Sequence, residues 1–365
     1  MKQNGVKYRG IWKAENREVI VTVNHKRRIG LLLLCMLVVC GLAGCKRNVG
    51  TPEDNAVKTN EETKEEKKAD EEEEAVKEEG HLLGFTAVDM ENPYYVTLEA
   101  STRQVVEEAG CRMITKNPAS DAKLQAQQIE EMIEEGVEVI FLAPVNWEEI
   151  TPSLEALKQA NIKIINIDTQ VKESAYVDAY IGSDNKKAGY ICGEDLIEKC
   201  PEGGKIAILE SPSQNSVNER MTGFEEAIAK AEKGFEVVAR EDTGGKLERA
   251  LEVVQQILKD HEDIKAIMCG NDQMAVAAKT AANLTGRTDI LIYGVDGSPD
   301  IKKELKKPDS QVAGTAAQSP INMGQKAAQT AIKIIEGETY EKEVYEDVFL
   351  INRDNVEMYG ADGWQ

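Results

Sequence analysis

The sequence is poor in histidine and empty of the short signatures that announce catalysis. Its three histidines are His25, His81 and His261. The first lies in a segment expected to be removed, the second borders a charged tether and the third ends a polar helix, so a His-dependent triad has nothing to form around. No GxGxxG or GxxxxGK[ST] follows the first strand, and neither GxSxG nor HExxH occurs anywhere. CxxC and CxH spacings are missing too, so no metal site and no cofactor is expected. Positive charge is also short: the formal net charge is -21. A nucleic-acid partner would need clustered Lys and Arg facing it, and that class is excluded. Finally, no apolar run reaches the roughly 20 residues needed to cross a bilayer.

What is present is enough material for two domains, with 365 residues of which 41% are hydrophobic and 30% charged. Near the start, Lys26-Arg27-Arg28 precede the apolar run Ile29 to Gly44, and Cys45 follows it. Charge, then a short apolar core, then small residues is the order of a signal peptide. Leu42-Ala43-Gly44-Cys45 resembles the bacterial lipobox, which implies that Cys45 is lipidated and becomes the mature N-terminus. An uncleaved anchor would leave the chain on the same side of the membrane. Met1 to Val23 is a long prelude for a signal sequence, and translation is expected to start later, at Val23 read as an initiator. From Lys46 to Gly80 the chain is polar, with Glu61-Glu62, Glu65-Glu66 and Glu71 to Glu74 interleaved with lysines. Such a segment cannot bury enough apolar surface to fold alone and reads as a solvated tether.

Beyond Gly80 strand-like and helical segments alternate nearly to the end. Ten strand-like runs stand out: LLGFTAV, CRMIT, EVIFLA, IKIINI, AYIGS, KIAILE, EVVAR, IKAIMC, ILIYGV and QVAGTA. Helical spacing of apolar residues appears between them, as at 122–136, 216–234 and 246–260. The alternation predicts an α/β chain with parallel sheets covered on both faces. Ten strands are too many for one compact sheet of this kind, so two similar doubly wound parallel-sheet lobes of about five strands each are expected, divided near Ser183-Asp184. Of the seven cysteines, Cys35, Cys40 and Cys45 belong to the apolar segment or its end, and Cys111, Cys192, Cys200 and Cys269 remain. Cys192 and Cys200 would lie about 12 Å apart along a helix, too far for a disulfide, so free thiols are expected.

In open parallel sheets, ligands bind beyond the carboxyl ends of the strands. The polar residues that fall there are Asn92 after the first strand, Asp168 after the fourth, Asn271 after the eighth, Asp296 after the ninth and Gln318 after the tenth. Arg220 lies in the helix after the sixth, and Tyr94 and Tyr95 follow Asn92-Pro93. Each has a purely structural reading. Asn92 fits an N-cap with Pro93 at the first helical position, Asp168 a turn, and Arg220 a surface partner of Glu219 or Glu225. Asp296 and Gln318 are different, because Ser298-Pro299 and Ser319-Pro320 already supply the next helix starts. Asn271 precedes Asp272, itself a good cap, which leaves its amide free for a ligand. Together these residues suit a polyhydroxylated ligand: planar polar groups pair with neighbouring hydroxyls and aromatic faces pack on C–H surfaces. Asp168 and Asp296 as a glycosidase pair would have to come from different lobes or distant strands, so the chain is read as a binder and not an enzyme.

With these residues assembled, the stretch from Leu82 to Met358 resembles the periplasmic sugar-binding proteins of ABC transporters, especially the ribose-binding type. The ordered motifs are ENPYY at 91–95, INIDTQ at 165–170, IGSDN at 181–185, ERMTGF at 219–224, GNDQMA at 270–275, YGVDGSPD at 293–300 and VAGTAAQSP at 312–320. The resemblance implies the type I periplasmic binding protein fold, with a hinge between lobes and the ligand enclosed. It implies an N-terminal lobe of 81–183 plus about 319–345 and a C-terminal lobe of 184–318 plus about 346–358, after an extension at 1–28, a signal core at 29–44 and a tether at 45–80. Asn92, Tyr94, Tyr95 and Asp168 would line the first lobe, and Arg220, Asn271, Asp296 and Gln318 would face them. Three positions depart from ribose binders: Thr169 stands for an arginine, Val88 for a serine and Gly244-Gly245 for an aromatic, while the two tyrosines replace phenylalanines. The wall near Val88 and Thr169 is therefore expected to be less polar than a ribose site and to be where specificity diverges. The calcium loop of galactose binders is not visible. The expected role is a monomeric extracytoplasmic lipoprotein, anchored through Cys45, that closes on a sugar and delivers it to an ABC transporter permease. The alternative is a sensor lipoprotein presenting the same ligand to a chemoreceptor or kinase.

Overall fold

The computed structural model describes residues 80–365. The expected signal core at 29–44, lipidation at Cys45, the tether and the later translation start lie outside the described residues.

The chain from Gly80 onward builds two six-stranded sheets. The first is made of β1 (Leu82–Thr86), β2 (Arg112–Lys116), β3 (Val139–Leu142), β4 (Lys163–Ile167), β5 (Ala179–Ser183) and β11 (Glu343–Glu346), in the spatial order β11-β5-β4-β3-β1-β2. The second is made of β6 (Gly204–Glu210), β7 (Phe235–Asp242), β8 (Ile264–Cys269), β9 (Leu291–Asp296), β10 (Val312–Ala317) and β12 (Phe349–Asn352), in the order β12-β10-β9-β8-β6-β7. Helices α1 (Pro93–Glu108), α2 (Ala122–Glu134), α3 (Thr151–Gln159) and α9 (Pro320–Glu336) cover the first sheet, whereas α4 (Asn185–Lys199), α5 (Asn215–Ile228), α6 (Leu247–Asp260), α7 (Asp272–Leu284) and α8 (Pro299–Leu305) cover the second.

Apolar residues on both faces of the inner strands explain this layering. In β3, Val139 and Phe141 pack with Leu98, Val106, Met323 and Ala327 on one side. Ile140 and Leu142 pack with Ile129, Met132, Leu154 and Leu157 on the other. The second sheet repeats the device, with Ile206 and Ile208 facing α4 and α5 and Ala207 and Leu209 facing α6 and α7. Each such fully buried Leu, Ile or Phe contributes about 1.5–3 kcal/mol relative to exposure, so neither sheet could lose a covering helix cheaply.

All ten expected strands are present, and two more complete the sheets. The additional pair, β11 and β12, has no legible signal, because EVYE is half charged and FLIN is an apolar run of only three residues, each strand being four residues long. Both are edge strands, and in β11 the exposed Glu343 blunts an otherwise open edge. The ten expected strands pair in parallel throughout, as does β11, and only the added β12 runs antiparallel, to β10. The chain passes between the sheets three times, at 183–185, 317–320 and 346–349, and these crossings form the hinge. Cys111, Cys192, Cys200 and Cys269 are free.

Candidate functional site

The first wall begins where β1 runs out. Asn92 caps α1, its Oδ1 accepting from the Tyr94 N–H at 3.0 Å with Pro93 following at the helix start. The cap sets the first turn so that Tyr94 and Tyr95 enter the cleft, where they are 3% and 4% exposed. Their rings meet edge to face at 5.3 Å, and Trp364 packs on Tyr94 at 5.9 Å. Their hydroxyls converge on one carboxylate: Tyr94 donates to Asp168 Oδ1 at 3.1 Å and Tyr95 to Oδ2 at 2.8 Å. Asp168 follows β4 in the left-handed region, at φ 60°, which Asp tolerates better than most residues. The Tyr180 hydroxyl donates to its backbone oxygen at 2.7 Å and fixes the turn.

The second wall is centred on Arg220, on the inner face of α5. Its Nε donates to Asn185 Oδ1 at 2.9 Å and its Nη1 to the Gly270 carbonyl at 2.8 Å, leaving Nη1 3.8 Å from Asp296 Oδ1. Close helix packing sets this position. A Cβ on Gly189 would stand 1.7 Å from the Arg220 carbonyl oxygen, so α4 and α5 approach only because that residue is glycine. Asp296 ends β9 at φ 138°, a conformation that an L side chain rarely adopts. It accepts from Gln318 Nε2 at 2.9 Å and from the Asp272 N–H at 3.5 Å. Gln318 itself does not line the cavity; it stands behind Asp296 and orients it.

Asn271, and not Asp272, caps α7, with Oδ1 accepting from the Met274 N–H at 2.9 Å. Its amide is not fully free, since Nδ2 donates to the Gly245 carbonyl at 3.3 Å. Asp272 has a different duty, accepting from Ser298 N–H and Thr315 Oγ1, both at 2.7 Å.

Three buried carboxylates thus surround one buried guanidinium. Burial raises the Asp168 carboxyl above the usual range, opposed by Arg220 and the two tyrosine hydroxyls. Burial pushes Asp272 up to about 6, against its hydrogen bonds to Ser298 and Thr315. Asp296 is driven furthest above the ordinary range by burial, with Arg220 opposing and the neighbouring Asp272 and Asp168 adding to the rise. Tyr94 and Tyr95 are raised well above 10.0 by burial and by Asp168, so both keep their protons and donate.

Between the walls lies a cavity of about 330 Å³ lined by Asn92, Tyr94, Tyr95, Asp168, Arg220, Asn271 and Asp296. It is small and polar, and it suits a ligand that needs acceptors on both sides. Seven of the eight expected binding residues therefore share one cavity. Val88 lines it, but Thr169 does not: Thr169 is fully buried and its Oγ1 accepts from Ser216 N–H. Thr169 therefore gives the cavity no surface of its own, and of the two positions only Val88 is part of the wall. The lining also includes Gln214, Ser216, Lys246, Glu248, Gln273 and Ser120, none of which stood out in the sequence. Gln214 and Ser216 obey the strand-end rule that found the others, since they follow β6. Arg220 drew attention away from them. Gly244 and Gly245, at φ 60° and 75°, bring backbone to the cavity.

Comparison with known proteins agrees with this architecture. The ribose import binding protein RbsB of Escherichia coli is 28% identical over 263 residues, covering 72% of this chain and 87% of that protein. The D-ribose/D-allose-binding protein of Pseudomonas aeruginosa is 29% identical over 265 residues, covering 70% and 82%. Among solved structures, an ABC transporter solute-binding protein from Mycobacterium smegmatis with bound glycerol aligns with a TM-score of 0.72 at 26% identity, covering 76% of this chain and 96% of that one. The model of the periplasmic binding protein domain matches residues 83–339. Two hinged parallel-sheet lobes, a polar cavity between them and that match together place this chain in the periplasmic binding protein domain family.

Proposed function

We propose that this protein is an extracytoplasmic solute receptor that captures a sugar between its lobes and delivers it to the permease of an ABC transporter. It acts as a monomer anchored through lipid on Cys45 to the outer face of the cell membrane. The observation that carries the reading is the opposition of Asp168 and Asp296 across one cavity, each held by donors of its own lobe. A carboxylate can accept from two adjacent hydroxyls at once, so two of them on facing walls grip a polyol from both sides. Arg220 and Asn271 donate to the ring or hydroxyl oxygens between them. Ligand contact with both walls favours the closed form, and the open form is depleted by mass action. The relatives' names, which include ribose and ribose/allose binding, support a sugar of similar size.

A calorimetric and thermal-shift screen of pentoses, hexoses, disaccharides, polyols and nucleosides tests the proposal. At least one saccharide should raise the melting temperature and be recovered unaltered after prolonged incubation. No response to any saccharide would remove the sugar assignment, and turnover would remove the receptor assignment. Uptake unchanged in a deletion strain would favour a sensor over a transport receptor.

A further inference from the structure

The start of α5 meets the opposite lobe at two points. The Trp147 N–H, in the segment after β3, donates to the Ser213 carbonyl at 3.0 Å, and the Ser216 N–H donates to Thr169 Oγ1 at 3.1 Å. Helix α5 has no cap of its own. Gln214 occupies the N-cap position without a capping bond, its Nε2 donating instead to Ser211 Oγ at 3.0 Å. An uncapped first turn leaves N–H groups unsatisfied. Here one of them finds its acceptor in the other lobe, and that acceptor is in place only when the lobes are together. The same serine has a second unusual property. Ser216 is 1% exposed, its hydroxyl has no protein partner, and it lines the cavity. A buried hydroxyl without a partner is costly unless something else completes it.

We propose that Thr169 and Ser216 form a latch read by the ligand: Thr169 caps α5 across the cleft on closure, and the Ser216 hydroxyl set in place by that bond takes a hydrogen bond with a hydroxyl of the bound polyol. Thr169 is a positioning residue and Ser216 a ligand-contacting one. The hydroxyl arm rests on the sugar reading above, whereas the backbone arm does not. Two sources of closing energy then share one residue, since the Ser216 amide rewards approach of the lobes and its hydroxyl rewards the ligand. Without the amide bond, the turn that presents the hydroxyl is free to fray.

The test uses the full chain and the variants Thr169→Val, Thr169→Ser and Ser216→Ala, with Thr169→Ala taking the place of valine if valine prevents folding. Amide hydrogen exchange is followed at 213–218 without sugar and at saturating sugar, and affinity is measured by calorimetry for D-ribose or D-allose, whichever gives the larger thermal shift with the unaltered protein. Loss of the latch bond should accelerate exchange at Ser216 about fivefold and weaken sugar binding by a similar factor. Thr169→Ser should restore both. Ser216→Ala keeps the amide, so exchange should stay slow while affinity falls about fivefold or more. Exchange at Ser216 unchanged in Thr169→Val overturns the latch, and affinity unchanged in Ser216→Ala overturns the hydroxyl contact. If neither sugar shifts the unaltered protein, the sugar reading and the hydroxyl arm fail together, and the exchange comparison alone decides the backbone arm.

Discussion

Replacing Tyr95 by phenylalanine removes one oxygen and little else, because the ring stays packed at 4% exposure. That oxygen donates to Asp168 Oδ2 at 2.8 Å inside the protein, where Asp168 is 3% exposed. A hydrogen bond to a buried ionised group is worth about 1.5–3 kcal/mol, and losing the donor strands the acceptor. Tyr95→Phe should therefore lower unfolding free energy by about 2 kcal/mol at pH 7.5, seen as a melting temperature roughly 5 °C lower. The pH dependence identifies the cause. Burial has already raised the folded-state carboxyl of Asp168 above its unfolded value, so ionising it costs stability as pH rises through the folded pKa. Removing a donor to the charged form increases that cost above this pKa and leaves the protonated state nearly untouched. Melts of both proteins from pH 7.5 down to 4.5 should accordingly converge. In an Asp168→Asn background the tyrosine substitution should cost well under 1 kcal/mol, the double-mutant cycle isolating the pair. A penalty that is equal at both ends of the pH range and undiminished in the Asp168→Asn background would refute the charge-assisted bond and reduce Tyr95 to a packing residue.

Other substitutions separate binding from stability. Asp296→Asn should raise the melting temperature of the ligand-free protein at pH 7.5, since it removes a carboxylate that crowds Asp272 in a dry site, while sugar affinity drops about 100-fold; a variant that is less stable and still binds would place the cavity elsewhere. Asp272, raised to about 6, contributes stability that is present below its unfolded value of 3.8 and lost as pH climbs through 6, so ligand-free melts should decline over that window and Asp272→Asn should flatten the decline. Gly189→Ala would press a methyl group into the Arg220 carbonyl and force α4 from α5, at a cost of about 1–3 kcal/mol measurable by denaturant unfolding, with affinity falling alongside as Arg220 is displaced.

Much of this was legible in the chain because parallel strands buried on both faces announce themselves as apolar runs, and KIAILE or EVIFLA cannot be anything else at that length. The strand-end rule, with Arg220 from the helix after the sixth strand, then collected seven of the cavity residues from five stretches of the chain. What stayed hidden depended on partners distant in sequence. Whether Asn271 or Asp272 caps α7 is decided by Ser298 and Thr315, which claim the carboxylate of Asp272. Gln318 is drawn behind Asp296 by one hydrogen bond that no local pattern encodes. Thr169 reads as a missing arginine until Ser216 is seen opposite it. Edge strands such as β11 gain their order from the sheet they join more than from their own residues.

Asn185 ends the crossing at 183–185, and its side-chain oxygen receives the Arg220 Nε. A pivot and a cavity-lining cation are thus wired by a single 2.9 Å bond, on two helices that a glycine lets touch. Any displacement of Arg220 would consequently act on the pivot itself. The arrangement resembles a spring clip whose trigger is mounted on its own axle, so that a small adjustment at the grip would be felt by a whole lobe.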